Sequence, residues 1–159
     1  IEVVANKTGS LIATSARFGA LLSGADKETV ETLTTFGEKI GIAFQLADDV
    51  IDIASDSSQS GKTPGTDLKE GVPTLVTLRI MNSNKPEDAE LKKLLSAPMD
   101  DATVAKVIPQ LRQHSALEES KKYLHDLANE AKQLLNNLPQ TPARSALENL
   151  CLAIVERTA

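Results

Sequence analysis

The sequence has 159 residues, 41% hydrophobic and 25% charged, a composition expected of a soluble globular protein. Twenty-two acidic residues against 17 basic ones leave a formal net charge of -5, so no nucleic-acid surface is expected, because phosphate contacts need clustered Lys and Arg. One cysteine, Cys151, excludes an internal disulfide, two histidines argue against structural zinc, and no apolar run approaches the roughly 20 residues that span a bilayer.

The opening Ile1-Glu2-Val3-Val4-Ala5 carries neither a basic stretch nor a methionine. It does not read as a signal peptide, and the expectation is the interior of a longer sequence. Leu11, Ile12, Ala16, Leu21 and Leu22 recur at helical spacing over Ser10–Leu22, with Gly24 as the stop. Asp26 is placed to cap a second helix, which the pattern extends over Lys27–Ala54. Ser55–Gly71 changes character: it is serine-rich, and Pro64-Gly65 argues against regular helix there. So long an irregular stretch inside a compact domain points to function or disorder. Further helices are predicted from Pro73 to Met81 and from Glu87 to Leu95, then from an Asp100 cap up to Pro109. A long amphipathic helix is expected over Gln110–Leu138, and a last one from a Thr141-Pro142 start to Arg157. Strand signals are nearly absent, so the chain reads as one all-α domain over residues 1–159. Cys151, between Leu150 and Leu152, reads as a core residue, and His114 and His125 as structural or solvent-facing.

The most informative segment is Gly41 to Asp52. At roughly 100° per residue, Gly41, Gln45, Asp48 and Asp52 form one stripe with Asp49 beside it, while apolar residues fill most of the circumference. Carboxylates on a buried helix are costly unless something neutralises them. A solvated acidic face fits poorly, since no Lys or Arg stands between Ile40 and Ser60. Oxygen-only ligands select hard cations, magnesium (Mg2+) above all where phosphates are present. Gly37 and Gly41 each cost about 1 kcal/mol of helix propensity relative to alanine, which points to close approach of a ligand or of another helix.

Cations held by carboxylates usually bridge to a substrate anion, so basic residues are expected nearby. Lys7, beside Thr8, and Lys62, beyond the acidic helix, are the candidates. Gly61-Lys62-Thr63 ends like a P-loop, but Asp56 stands where the first glycine belongs and Pro64-Gly65 argues against the helix that would cradle phosphates. Lys7-Thr8-Gly9 matches a β-lactamase triplet, yet the chain contains no Ser-x-x-Lys. Both readings are rejected.

With those residues assembled, Phe44-Gln45-x-x-Asp48-Asp49-x-x-Asp52, followed by Gly61-Lys62 and Gly65-Thr66-Asp67-Leu68, resembles the second aspartate-rich region of trans-isoprenyl diphosphate synthases. Lys7-Thr8 matches the Lys-Thr that these enzymes carry upstream, so the likeness rests on residues 7 to 75. The resemblance implies an all-α isoprenoid synthase-type helical bundle. It also implies magnesium-dependent prenyl transfer, condensing an allylic diphosphate with isopentenyl diphosphate to a polyprenyl diphosphate. By that likeness Asp48 ligates magnesium, with Asp49 and Asp52 supporting it. Lys7 and Lys62 hold the allylic diphosphate, Thr8 and Gln45 lie beside the reacting carbon, and Phe44 flanks the isopentenyl pocket. Asp67 matches a recurring family position without a firm role. A cytoplasmic homodimer is the implied state of the full-length enzyme, with no nucleic acid and no membrane span.

Two positions depart from the family pattern. Val72 stands where short-chain members often carry a basic residue, which leans towards a longer-chain or bacterial type, and Val76 stands where many have proline. A larger departure is that the family's first aspartate-rich motif has no counterpart, since Asp100-Asp101 is followed by Val104 and Ala105. The resemblance is therefore to the C-terminal half, and the chain alone is expected to bind diphosphate weakly and not to turn over. Two alternatives remain: a class I terpene cyclase, which typically has a second metal motif rich in Asn, Ser and Glu, and a non-catalytic partner subunit, which would have no need of costly carboxylates.

Overall fold

The computed structural model describes residues 1–55 and 64–158, and among these every regular element is helical. A short turn of helix at Glu2–Val4 leads into a wide π-type turn, Ala5–Gly9, closed by the Ser10 amide on the Ala5 carbonyl. It runs directly into α1, Ser10–Leu22, so Lys7 and Thr8 belong to this helical entry. Gly24 ends α1 at a φ of 77°, and the Ala25 amide returns to the Ala20 carbonyl at 3.1 Å. Asp26 accepts the Thr29 amide at 2.8 Å, the predicted cap, and α2 spans Lys27–Ala54 as its pattern requires. The hydrogen bond from that amide, with help from the Thr29 side chain, holds the Asp26 carboxyl below its ordinary range.

The described end of the stretch Ser55–Gly71, residues 64–71, differs from its expectation, while its serine-rich part, residues 56–63, lies outside the described residues. The described end contains a short helix, α3, over Thr66–Glu70, because Pro64 and Gly65 precede the helix and do not interrupt it. Helix α4, Leu75–Met81, starts at a Thr74–Thr77 capping box, one residue after Pro73. A 3-10 turn at Pro86–Asp88 leads into α5, Ala89–Leu95.

A second difference concerns Pro109. Helix α6, Asp101–Gln113, capped by Asp100 on the Thr103 amide at 2.8 Å, passes through this proline. Pro109 and Ala105, whose carbonyl loses its usual amide partner there, are both exposed, so water can satisfy that carbonyl while Val107, Ile108 and Leu111 stay buried on the opposite side. The break falls instead at His114, which takes an extended ψ of 139°. Its Nδ1 accepts the Ala116 amide at 3.0 Å and its Nε2 lies 3.0 Å from Oδ1 of the buried Asp88, which gives this histidine the structural role expected of it. Helix α7 then spans Ser115–Leu134, followed by a 3-10 turn, Leu135–Asn137. The last helix, α8, Pro142–Glu156, starts at Thr141, which accepts the Arg144 amide as predicted.

The chain packs as two compact units, Ile1–Ala47 with Tyr123–Ala159, and Asp48–Lys122. In the first, α2 meets α1 and its entry turn through Gly37 and Gly41. A Cβ on Gly37 would lie 2.8 Å from the Ala13 Cα, and one on Gly41 would lie 2.9 Å from the Gly9 Cα. Helix packing therefore accounts for both glycines. The same unit buries Leu124, Leu127 and Ala131 along α7, Leu135 in the turn that follows it, and Cys151 and Ile154 on α8, as the sequence predicts for the cysteine. Arg144 ties α8 back to the end of α7 through the Leu138 carbonyl at 2.9 Å and Asn136 Oδ1 at 2.7 Å. The second unit has an aliphatic core in which Val50, Ile53, Val76, Ile80, Val107 and Leu111 pack together.

Candidate functional site

In the first unit, the entry turn and the middle of α2 bring two of the predicted residues together. Thr8 donates its hydroxyl to Gln45 Oε1 at 3.0 Å across 37 positions of sequence, and both side chains are half-buried. The π-type turn sets this up by putting an extra residue into the helical entry, just before Gly9 makes its close approach to α2. Lys7, one residue earlier, is exposed. Phe44 is 38% exposed and lies under the Arg157 guanidinium, 5.0 Å from its ring centroid, a cation–π contact with the end of the chain that no sequence pattern announced.

In the second unit, Asp48, Asp49 and Asp52 are half-buried on the last turns of α2. Asp52 has an identified use: its Oδ1 accepts the Thr66 amide and its Oδ2 the Asp67 amide, each at 3.2 Å, and its own carbonyl accepts the Gly65 amide at 2.9 Å. Arg112 closes the C-terminal end of the same helix, with Nε on the Ile53 carbonyl at 2.8 Å and a terminal nitrogen on the Ser55 carbonyl at 2.7 Å. A cation at the negative end of a helix is favourable, and here it also satisfies carbonyls that the helix leaves without partners. Sequence reading missed Arg112 because it stands 59 positions from Ile53. Gly65 is required twice over, by its φ of 81° and by Val104, whose Cγ1 would lie 2.5 Å from a Cβ at that position. Lys62 falls outside the described residues.

The donors on α2 are oxygens only, which suits a hard cation in kind. In number they fall short: among the described residues no three His, Cys, Asp or Glu side chains form a metal-holding group. Magnesium ordinarily completes its shell with water and substrate phosphates, so a short donor set is compatible with such a site. No helix among the described residues is long and apolar enough to cross a membrane.

Residues 1–111 match the family model described as Polyprenyl synthetase. The chain is 44% identical over 158 residues to nonaprenyl diphosphate synthase of Mycobacterium tuberculosis, covering 99% of this chain and 47% of that protein. It is 32% identical to octaprenyl diphosphate synthase of Escherichia coli, covering 99% and 49%. A crystal structure of geranylgeranyl pyrophosphate synthase from Corynebacterium glutamicum, complexed with calcium and isoprenyl diphosphate, superimposes with a TM-score of 0.89 at 37% identity, over 99% of this chain and 49% of that one. The chain thus spans about half the length of the curated relatives it matches. The fold likeness holds over nearly every residue and the family match over about two-thirds, and the chain belongs to the polyprenyl synthetase family.

Proposed function

We propose that the chain supplies the second aspartate-rich half of a prenyltransferase site that joins an allylic diphosphate to isopentenyl diphosphate in a magnesium-dependent reaction. The observation that carries this reading is the Thr8–Gln45 hydrogen bond, which joins the Lys-Thr motif to the stripe that continues through Asp48. The solved relative holding calcium and isoprenyl diphosphate supports a hard divalent cation beside a diphosphate.

In this reading Asp48 holds the cation with support from Asp49, and Lys7 and Lys62 hold the allylic diphosphate. Bound magnesium supplies neutralisation of the diphosphate charge, without which that group does not leave. The allylic C–O bond breaks and its electron pair departs with the diphosphate. Thr8 donates its hydroxyl hydrogen bond to Gln45 Oε1, so the lone pairs of its oxygen remain to face the electron-poor allylic carbon. Phe44 shapes the isopentenyl pocket, from which the double bond attacks that carbon, and the proton released from the resulting carbocation passes to an oxygen of the departed diphosphate. Aliphatic helices keep water from the cation. The full-length enzyme is a cytoplasmic homodimer in this reading, which light scattering and cell fractionation check.

The test is Asp48→Ala in the full-length protein. Turnover of labelled isopentenyl diphosphate should fall about 100-fold or more with unchanged far-UV circular dichroism. Retained turnover removes Asp48 from the site. The 159-residue chain alone should form no product, and steady product formation would show that it carries a complete site.

A further inference from the structure

The second unit carries a cleft of about 430 Å³ that the acidic stripe does not use. The end of α4 and the loop after it contribute Arg79, Ser83 and Lys85 to its lining, and the start of α7 contributes Ser115 and Glu119. A cleft of that size is in the range of small-molecule sites and is more than a bare phosphate needs.

Both cations in the cleft are underpaired. The Arg79 guanidinium makes one ion pair, a long 3.3 Å contact of Nη1 with Glu119, and its Nε is buried without a hydrogen-bond partner. Lys85 is exposed, and its ammonium meets a neutral hydroxyl, Ser115 Oγ at 3.3 Å. A tetrahedral oxyanion can accept from a guanidinium fork, an ammonium and a hydroxyl at once. The first turn of α7, a 20-residue helix, brings its positive end to the same place, and Lys92, which donates to the Ser83 carbonyl, adds a cation behind the loop. Two carboxylates oppose these charges. Asp88 is buried against His114, whereas Glu119 is 53% exposed and can release Arg79 by turning into water.

The walls of the cleft are fixed in advance. The Lys85 amide donates to Ser83 Oγ and the Asp88 amide to the Lys85 carbonyl, each at 3.1 Å, so the loop is held by its own hydrogen bonds. The His114–Asp88 contact ties that loop to the beginning of α7. Both His114 nitrogens are engaged, so the imidazole serves the wall and is no ligand. Donors ordered before binding lose little when an anion arrives.

We propose that this cleft is an anion site for a phosphate group, free or carried by a small molecule, held between Arg79 and Lys85 with the Ser115 hydroxyl, and that Glu119 occupies Arg79 while no anion is bound. None of these residues belongs to the acidic stripe or to Lys7-Thr8, so the proposal stands apart from the prenyltransferase reading.

Titration of the 159-residue chain with inorganic phosphate and with phenyl phosphate, at constant ionic strength and with a chelator present, tests the site through amide chemical shifts. The Lys85, Ser115 and Ala116 amides should move along one saturating curve. Phenyl phosphate binding about threefold or more tighter identifies a phosphorylated small molecule as the source, and equal binding identifies free phosphate. Lys85→Gln, at an exposed position, should weaken both about tenfold. Glu119→Gln releases Arg79 and should tighten both about threefold. Glu118→Gln makes the same charge change at the neighbouring residue, which pairs with Lys121, and should leave binding unchanged. The Thr103 amide, capped by Asp100 in the same unit, reports that each variant remains folded. Shifts that do not saturate, that survive Lys85→Gln, or that respond equally to Glu118→Gln and Glu119→Gln would show a diffuse surface attraction and overturn the proposal.

Discussion

Helix α2 packs in two ways along its length. In the first unit it makes one contact through the absence of side chains, where Gly37 and Gly41 let Ala13 and Gly9 approach backbone to backbone. In the second unit the same helix contributes Val50 and Ile53 to a core filled by branched aliphatic side chains. Contact by close approach has no room for an added methyl group, whereas contact by filled volume cannot spare one. The two stretches should therefore respond in opposite ways to the same chemical change, although they belong to one continuous helix.

Removing volume from the second unit should have the largest effect on stability. Leu111 is fully buried, and Leu111→Ala should cost about 3 kcal/mol in the midpoint of urea unfolding followed by circular dichroism. A loss under about 1 kcal/mol would mean that this core is looser than its burial indicates. Adding a methyl to the first unit is the converse test. Gly37→Ala gains about 1 kcal/mol of helix propensity, but it puts a carbon 2.8 Å from a backbone atom, where overpacking costs about 1–3 kcal/mol. A net loss of about 1 kcal/mol is expected, and a stabilised variant would show that α1 and α2 can part freely. Gly19, also helical but with nothing within 4 Å of where an added methyl would sit, is the control: Gly19→Ala should stabilise by about 0.5–1 kcal/mol in the same unfolding experiment.

The smallest effect is a dependence on pH. The Thr103 hydroxyl and amide hold the Asp100 carboxyl below its ordinary range in the folded protein. A depressed carboxylate pKa contributes stability above its unfolded value, and this contribution is lost as pH falls through the folded value. Asp100→Ala should therefore unfold more easily than the parent at pH 7, and the two proteins should converge in strong acid. Parallel pH profiles would show that this cap contributes nothing through its charge.

Much of the molecule was legible in the sequence where the cause is local. Asp26, Asp100 and Thr141 each accept the amide three residues ahead, so their identity and spacing alone mark where helices begin. The extent of α2 and the burial of Cys151 followed from periodicity and from neighbouring residues. The motif around Asp48 was legible in the same way, since seven or eight helical positions fix which residues share a face. Pro109 misled because its cost depends on whether the orphaned carbonyl can reach water, and this is decided by which side of α6 faces the core.

What the linear pattern determined is the all-α class, most helix boundaries and the chemical character of the acidic stripe, because these depend on residues within a turn or two of each other. Only the tertiary structure decided that Gly37 and Gly41 serve helix contact, that Arg112 closes α2 and that Asp52 caps α3. Those partners stand between 14 and 59 positions apart, or meet through surfaces that carry no side chain, and neither kind of contact leaves a periodic trace in sequence.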